Sequence, residues 1–318
     1  MLDGTSGCQV GPRWSDPSDM DITTRTHSLG EPQVAGPLAV FPVFGAPARL
    51  PYRAFVQAAG LGALVKEVEF GAVVGRLSVH NPTDLALLLY EGEEVLGAQQ
   101  NRTFESSVLV AAGASLELSV SCVERGRWDG SRHGMPLRPS PQAADPDLRR
   151  LRRRRANLDG QADQHDVWRA VDSRLAHHRV VSPSSALSDL YDGRRDDLHK
   201  LCGAVRHEEG QIGALAWIAG RPAALDLVSC ANVFATLLPA LAQGYALHAL
   251  DAPEGPLDRD AAEDFLCSVL RAPREPRDAP GIGQGFALGT EALVGAGLDH
   301  EGELIQLSAF PAEGAGLS

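Results

Sequence analysis

The sequence predicts an α+β fold, with an N-terminal antiparallel β-meander sheet and a mixed helical and β C-terminal part packed on it. Three observations carry this reading. Apolar runs of strand length, separated by turn residues, fill residues 36–128. Segments with helical periodicity follow from residue 145, and strand-like runs return between Gly285 and Phe310. Strands, then helices, then strands argue against a doubly wound parallel sheet, in which the two would alternate.

Each element has a local reason. The chain has 318 residues and is 44% apolar, enough to bury one large core or two ordinary ones. Residues 1–35 are polar and offer little apolar surface to offset the entropy of ordering, so a disordered tail is expected there. Strands are expected over Leu38–Phe44, Val73–His80, Leu85–Glu91, Ser106–Val110 and Ser115–Val123, with a short helix from Tyr52 to Gly60. Asn81–Asp84 and Ala111–Ala114 read as the short turns that join antiparallel neighbours. Residues 129–144, with Gly130, Gly134, Pro136, Pro139 and Pro141, read as a Gly/Pro-rich connection without regular structure.

Residues 145–312 complete the same α+β unit. Helices are expected over Asp147–Arg155 and Ala162–His178, where Val167, Val171 and Leu175 recur every four residues. Ser182-Pro183-Ser184 introduces a third, short helix. A strand pair, Gly213–Ala219 and Ala223–Val228, precedes a long helix from Asn232 to about Leu250. Asp258 or Asp260 caps the next helix, and strands over Gly285–Thr290, Glu291–Leu298 and Leu304–Phe310 close the chain.

Charge and cysteine usage exclude several function classes. Net charge is −12 although six arginines crowd into Arg149–Arg155, so the remainder is more acidic still and does not suit a nucleic-acid coat. The arginine run reads as a solvated helix face, or alternatively as a clasp for a diphosphate. The five cysteines form no C-x-x-C pair, which points to reduced thiols rather than a disulfide framework or zinc knuckle. No secretion-type start and no bilayer-length apolar run is present, so no membrane partner and a cytoplasmic location are expected. His177 and His178 end a helix, and His165, His199 and His207 share no ligand spacing, so no metal-ligating set is predicted.

Two polar clusters interrupt the apolar β region. Glu91-Gly92-Glu93-Glu94-Val95-Leu96-Gly97-Ala98-Gln99-Gln100-Asn101-Arg102 concentrates carboxylates, amides, glycines and a guanidinium, the inventory that holds a polar ligand. Cys122-Val123-Glu124-Arg125-Gly126-Arg127-Trp128 follows a strand on which Val120, Cys122 and Glu124 share a face, bringing Glu124 out beside a packed thiol.

The blocks Leu88–Arg102 (LLYEGEEVLGAQQNR), Ser106–Val120 (SSVLVAAGASLELSV) and Cys122–Trp128 (CVERGRW) resemble the ARG and rhodanese-phosphatase-superfamily-associated protein domain family. Weaker likeness at Val167-Trp168, Ser182–Ser184, Gln211–Ala219, Leu225-Asp226-Leu227 and Leu307–Phe310 extends it over residues 36–312. Val228 stands where the family has an apolar aromatic, and Gln306 where a histidine is expected. The resemblance implies binding and hydrolytic processing of an ADP-ribose-like or related nucleotide metabolite in the bacterial cytoplasm, in an ADP-ribosylglycohydrolase-associated pathway of NAD metabolism. The rival reading is a non-catalytic interaction or scaffold protein whose polar motifs are structural.

Carried over to this chain, the motifs single out Glu93 and Glu124 as general acid and base, or as hard-oxygen ligands of a divalent metal ion. Equally, the two acids pair with Arg102 and Arg127 in a buried network that sets strand register. Gln100, Asn101, Arg102 and Arg127 would contact hydroxyls and phosphate, and Trp128 would stack on a base or sugar or pack at the rim. The expectation to be tested is that Glu93, Glu124, Arg102 and Arg127 line one pocket.

Overall fold

The structure, a computed structural model, describes residues 27–68, 73–159 and 163–312. Its strands, in chain order, are β1 (Ser28–Leu29), β2 (Gln33–Ala35), β3 (Leu38–Phe44), β4 (Tyr52–Ala54), β5 (Leu64–Glu67), β6 (Arg76–His80), β7 (Ala86–Leu89), β8 (Glu93–Gly97), β9 (Arg102–Phe104), β10 (Val108–Val110), β11 (Ser115–Cys122) and β12 (Leu137–Ala143). The second part adds β13 (Gln211–Ile218), β14 (Arg221–Val228), β15 (Arg274–Arg277), β16 (Gln284–Gly289), β17 (Leu293–His300) and β18 (Glu303–Pro311). The helices are α1 (Phe55–Ala59), α2 (Pro146–Asp159), α3 (Gln164–His177), α4 (Leu187–Gly193), α5 (Arg195–Cys202), α6 (Ala231–Ala249) and α7 (Arg259–Arg271). The α+β class holds.

Among the described residues the strands sort into three sheets. A nine-stranded sheet runs β1-β3-β13-β14-β18-β17-β16-β15, with β2 also on β3; a three-stranded sheet runs β10-β7-β4; and β11-β6-β5-β12-β8-β9 closes into a barrel. Alternation along β3 explains why it sits inside the large sheet: Leu38 and Val40 join the core shared with α6, while Ala39, Phe41 and Val43 join the core under α7. A strand apolar on both faces has no side to give to water. The barrel holds a third core built from Val65, Leu77, Val79, Val95, Phe104, Leu118 and Val120. On α7, Asp258 accepts from the Ala261 amide at 3.0 Å, and Ala262, Leu266 and Val269 pack on the sheet.

Three local expectations are corrected. Of the tail expected over 1–35, residues 1–26 lie outside the described residues, while Ser28–Leu29 and Gln33–Ala35 are strands that pair with β3. The two turns expected to join hairpin neighbours instead connect different sheets, β6 in the barrel to β7 and β10 back to β11. The cause lies in β7, whose Leu87 and Leu89 enter the barrel core while Ala86 and Leu88 enter the main core. Asn81 makes the crossing possible by donating to the carbonyls of Leu85, Val110 and Ala111. Within 129–144, β12 forms despite Pro139 and Pro141, because its pairing with β8 shifts register between Pro139 and Ala143 and an irregular strand does not need every N–H. Among the described residues no helix is long and apolar enough to cross a membrane.

The turn between β7 and β8 locks the barrel to the rest. Gly92 has φ of +88°, and a Cβ there would lie 2.7 Å from Cδ and Nε of Arg149. Gly92→Ala therefore combines left-handed strain with a clash against a fully buried side chain, and the expected loss is about 2 kcal/mol or more, read as a lower urea midpoint at unchanged slope.

Candidate functional site

Helix α2 carries the arginine run, and its face decides the chemistry. Asp145 opens the helix, accepting from the amides of Asp147 and Leu148 at 3.1 Å each. At helical spacing Arg149, Arg152 and Arg153 fall on one side, and that side faces inward; Arg149 is 0% exposed. The solvated-face reading is thus overturned for these three, while Arg154 and Arg155 do face solvent. The helix packs its cationic edge between the barrel and the large sheet because carboxylates and carbonyls await it there.

Arg149 grips Asp226 of β14 with Nη2 at 2.6 Å and Nη1 at 3.0 Å, and its Nη2 also reaches Glu91 at 3.1 Å. Asp226 further accepts from Tyr90 at 2.6 Å and Tyr245 at 2.5 Å, and Ser308 donates to Glu91 at 2.9 Å. The guanidinium lies over the rings of Tyr90 and Phe310, 5.7 and 5.0 Å from their centroids. Burial opposes charge on Arg149, but Asp226 and Glu91 beside it hold its pKa well above the ordinary arginine value. Burial, with Asp226 close by, likewise pushes Tyr90 and Tyr245 far up, so both remain hydroxyl donors.

Beside this network opens a cleft of about 540 Å³, bounded by α2, by β6 and β11 of the barrel and by β16 to β18 of the sheet. Arg76 and Glu117, 3.5 Å apart, stand on its barrel wall, and Arg277, paired with Glu275 at 2.8 Å, stands opposite. Arg153 and Gln306, both nearly inaccessible, also line it. Arg153 makes one hydrogen bond, from Nη2 to the Glu105 carbonyl at 3.1 Å, and no described carboxylate lies within ion-pair distance of it. Burial pulls its pKa down. Gln306 Nε2 is buried and makes no hydrogen bond of good geometry, its one polar neighbour on the network side being the Tyr90 hydroxyl, which is already committed to Asp226. Two buried donor groups therefore border an open space without enough acceptors to satisfy them.

The motif residues divide between several places. Glu124, Asn101 and Arg127 do come together: Arg127 binds both Glu124 oxygens at 2.8 and 2.6 Å, and the Asn101 amide and Ser184 hydroxyl add bonds at 3.0 and 2.9 Å. Arg127 also donates to the carbonyls of Ala98 and Gly97, tying down the turn between β8 and β9. Arg102 instead points into the barrel beside its register partner Cys122, whose thiol donates to Gln100 at 3.2 Å. It pairs with neither acid: Nη1 donates to the Asn101 carbonyl, and Nε and Nη2 have no partner. Trp128 is 49% exposed, so it belongs to the rim rather than the core.

Glu93 and its neighbour Glu94 lie on opposite sides of β8. Glu93 caps its own turn by accepting from the Tyr90 amide at 2.7 Å, and burial raises its pKa to about 7. Glu94 accepts from Ser140 and Gln142 through Oε2 while Oε1 stays unpartnered; burial, added to by the charges of Glu124 and Asp189, raises it to about 8. Glu94, rather than Glu93, is the carboxylate electrostatically coupled to Glu124. Sequence reasoning raised the arginine run, Arg153 included, only as an alternative diphosphate clasp, and passed over the pairing of Arg149 with Asp226 and the part of Tyr245 in it. One signal pointed there: a lone acid between leucines in Leu225-Asp226-Leu227, inside a strand that is otherwise apolar.

Residues 26–310 match the protein family described as the ARG and Rhodanese-Phosphatase-superfamily-associated Protein domain. No curated protein and no solved structure matches the chain.

Breaking the central pair should be severe, because either partner alone is a buried charge. Asp226→Asn is expected to cost about 3 kcal/mol or more by chemical denaturation. Glu94 gives a pH signature of opposite sign to an ordinary salt-bridged acid. Its raised pKa means the fold keeps a proton that the unfolded chain releases, so stability falls as pH rises from about 4.5 to about 8. Glu94→Gln should reduce that slope in melting curves recorded across this range, leaving the part below about pH 7 that Glu93 contributes with the same sign.

Proposed function

Because the chain belongs to the ARG and Rhodanese-Phosphatase-superfamily-associated Protein domain family, we propose that it binds an ADP-ribose-like or related cytoplasmic nucleotide metabolite in the cleft beside α2. One observation carries the reading: Arg153 and Gln306 are buried donors at the cleft with too few acceptors, and an anion rich in oxygens satisfies both. The cleft volume of about 540 Å³ suits a ligand of nucleotide size. Arg153, with Arg277 across the cleft, takes the phosphate groups, and Gln306 takes a ribose hydroxyl. A bound anion also relieves the desolvation of Arg153, which Glu91 and Glu105 offset only in part. Such a ligand places the chain beside ADP-ribosylglycohydrolases in the turnover of ADP-ribose.

A specific observation favours the second reading, a non-catalytic protein, for the carboxylates singled out by sequence. Glu124 already has four donors on its two oxygens, which leaves it poorly suited to activate water or to hold a divalent ion. Neither Glu93 nor Glu124 lines the cleft. In this reading they secure the barrel end, and recognition rather than hydrolysis is the function.

Titration calorimetry with ADP-ribose, adenosine and pyrophosphate separates these cases. ADP-ribose should bind the wild-type chain, and Arg153→Gln should weaken it about tenfold or more. Gln306→Leu should weaken adenosine-containing ligands without affecting pyrophosphate. Absence of ADP-ribose and pyrophosphate binding by the wild-type protein would sink the proposal, and chromatography of the same mixtures reports any hydrolysis.

A further inference from the structure

Beside the N-terminal end of α2, away from the stretch Arg153–Asn157 that lines the cleft, two helices end close together. Helix α3 finishes with His177 and is followed by His178; helix α6 finishes at Ala249, and the chain turns through Asp251 at φ of +70°. The turn brings Asp251 over the two imidazoles. Its Oδ2 lies 3.1 Å from His178 Nδ1 and 3.9 Å from His177 Nε2, and one ligand atom from each residue falls within 4.8 Å of the others. Two ligands on one tetrahedral zinc, each about 2.0–2.1 Å from the metal, stand about 3.4 Å apart. The observed spacings bracket that value.

We propose that His177, His178 and Asp251 bind one divalent transition-metal ion, with zinc the best match and water completing the shell. Two imidazoles and one carboxylate select a borderline ion over the hard magnesium and calcium ions, which prefer oxygen. The electrostatics agree from an independent direction, since both α3 and α6 direct their C-terminal, negative ends at this spot. His177 and His178 also border a pocket of about 270 Å³, shared with Asp145, Asp147 and His248 but not with Asp251, so solvent reaches the two imidazoles from that side.

Among the described residues Arg194, Arg174 and Arg150 lie near the site and must be placed. Arg194 lies 3.4 Å from His178 Nδ1, which is also hydrogen-bonded to Asp251 at 3.1 Å, and 3.7 Å from Asp251 Oδ1; metal binding requires this guanidinium to leave both, and its 3.2 Å bond to Asp197 can hold it when it does. Arg174 grips Asp145 with two bonds of 2.7 Å, and Arg150 holds Asp147 at 2.6 Å. Those pairs explain why the neighbouring Asp145, Asp147 and His248 group is not the site: Asp145 is saturated by a guanidinium and by the first turn of α2. The sequence could not show the triad, because Asp251 is distant from the histidines along the chain.

The test is zinc titration of the full chain by calorimetry in excess magnesium, with cobalt absorption in the visible range as a geometry probe. One ion per chain at micromolar affinity, with tetrahedral-type cobalt bands, is expected. His178→Ala and Asp251→Asn should each weaken zinc at least about tenfold, and exposed His177→Gln gives a ligand change that leaves packing intact. Failure of the wild-type protein to take up zinc overturns the proposal. So does undiminished binding by His177→Gln and Asp251→Asn, or loss of binding in Asp147→Asn with His248→Gln while Asp251→Asn still binds. ADP-ribose affinity of the same variants should be unchanged, which keeps this result separate from the cleft reading.

Discussion

The interaction between Arg149 and Asp226 ties together parts of the chain that share no hydrogen-bonded sheet. The guanidinium comes from α2, the carboxylate from the middle of the large sheet, Glu91 from the turn that enters the barrel and Tyr245 from α6. A buried ion pair of this kind contributes little net stability, because desolvation offsets most of its attraction. Its effect is geometric. Only one arrangement of helix, sheet and barrel lets Asp226 receive Arg149, Tyr90 and Tyr245 at once, so the network selects the relative placement of elements that apolar packing alone would leave loosely defined.

That placement creates the cleft. Because Arg149 anchors α2 between barrel and sheet, Arg153 one turn further along is held at the border of the gap between them, where no described carboxylate comes within ion-pair distance of it. Apolar packing could not hold a guanidinium in so dry a position. The saturated group around Glu124 does the complementary task at the other end of the barrel, fixing the turn between β8 and β9 through the carbonyls of Gly97 and Ala98. One polar network is closed on itself and the other has spare donors, and this difference separates scaffold from candidate site.

Much of the fold was legible because period and turn chemistry act locally. The apolar run at Leu38–Phe44 became β3 with the same limits, and the four-residue repeat of Val167, Val171 and Leu175 became the buried stripe of α3. Strand partners were less legible. Leu87 and Leu89 look like any apolar alternation, and nothing adjacent in sequence says that the opposite face of β7 will meet a second core. The arginine run failed for a related reason: a solvated face is the usual fate of like charges, and the acids that reverse it lie at positions 91 and 226. Glu124 and Arg127 were found because both partners sit within one turn of chain.

The position of β3 has a consequence for biosynthesis. Its outer neighbours β1 and β2 come just before it in the chain, but its inner partner β13 begins at Gln211, after the whole barrel has been made. During translation the nascent chain thus carries an apolar, unpaired ribbon edge while the ribosome adds well over a hundred further residues. Closure of so distant a contact is slow relative to local structure. The early barrel, whose strands all lie between Leu64 and Ala143, can assemble in the interval, leaving the β3 segment as the part most in need of chaperone shielding.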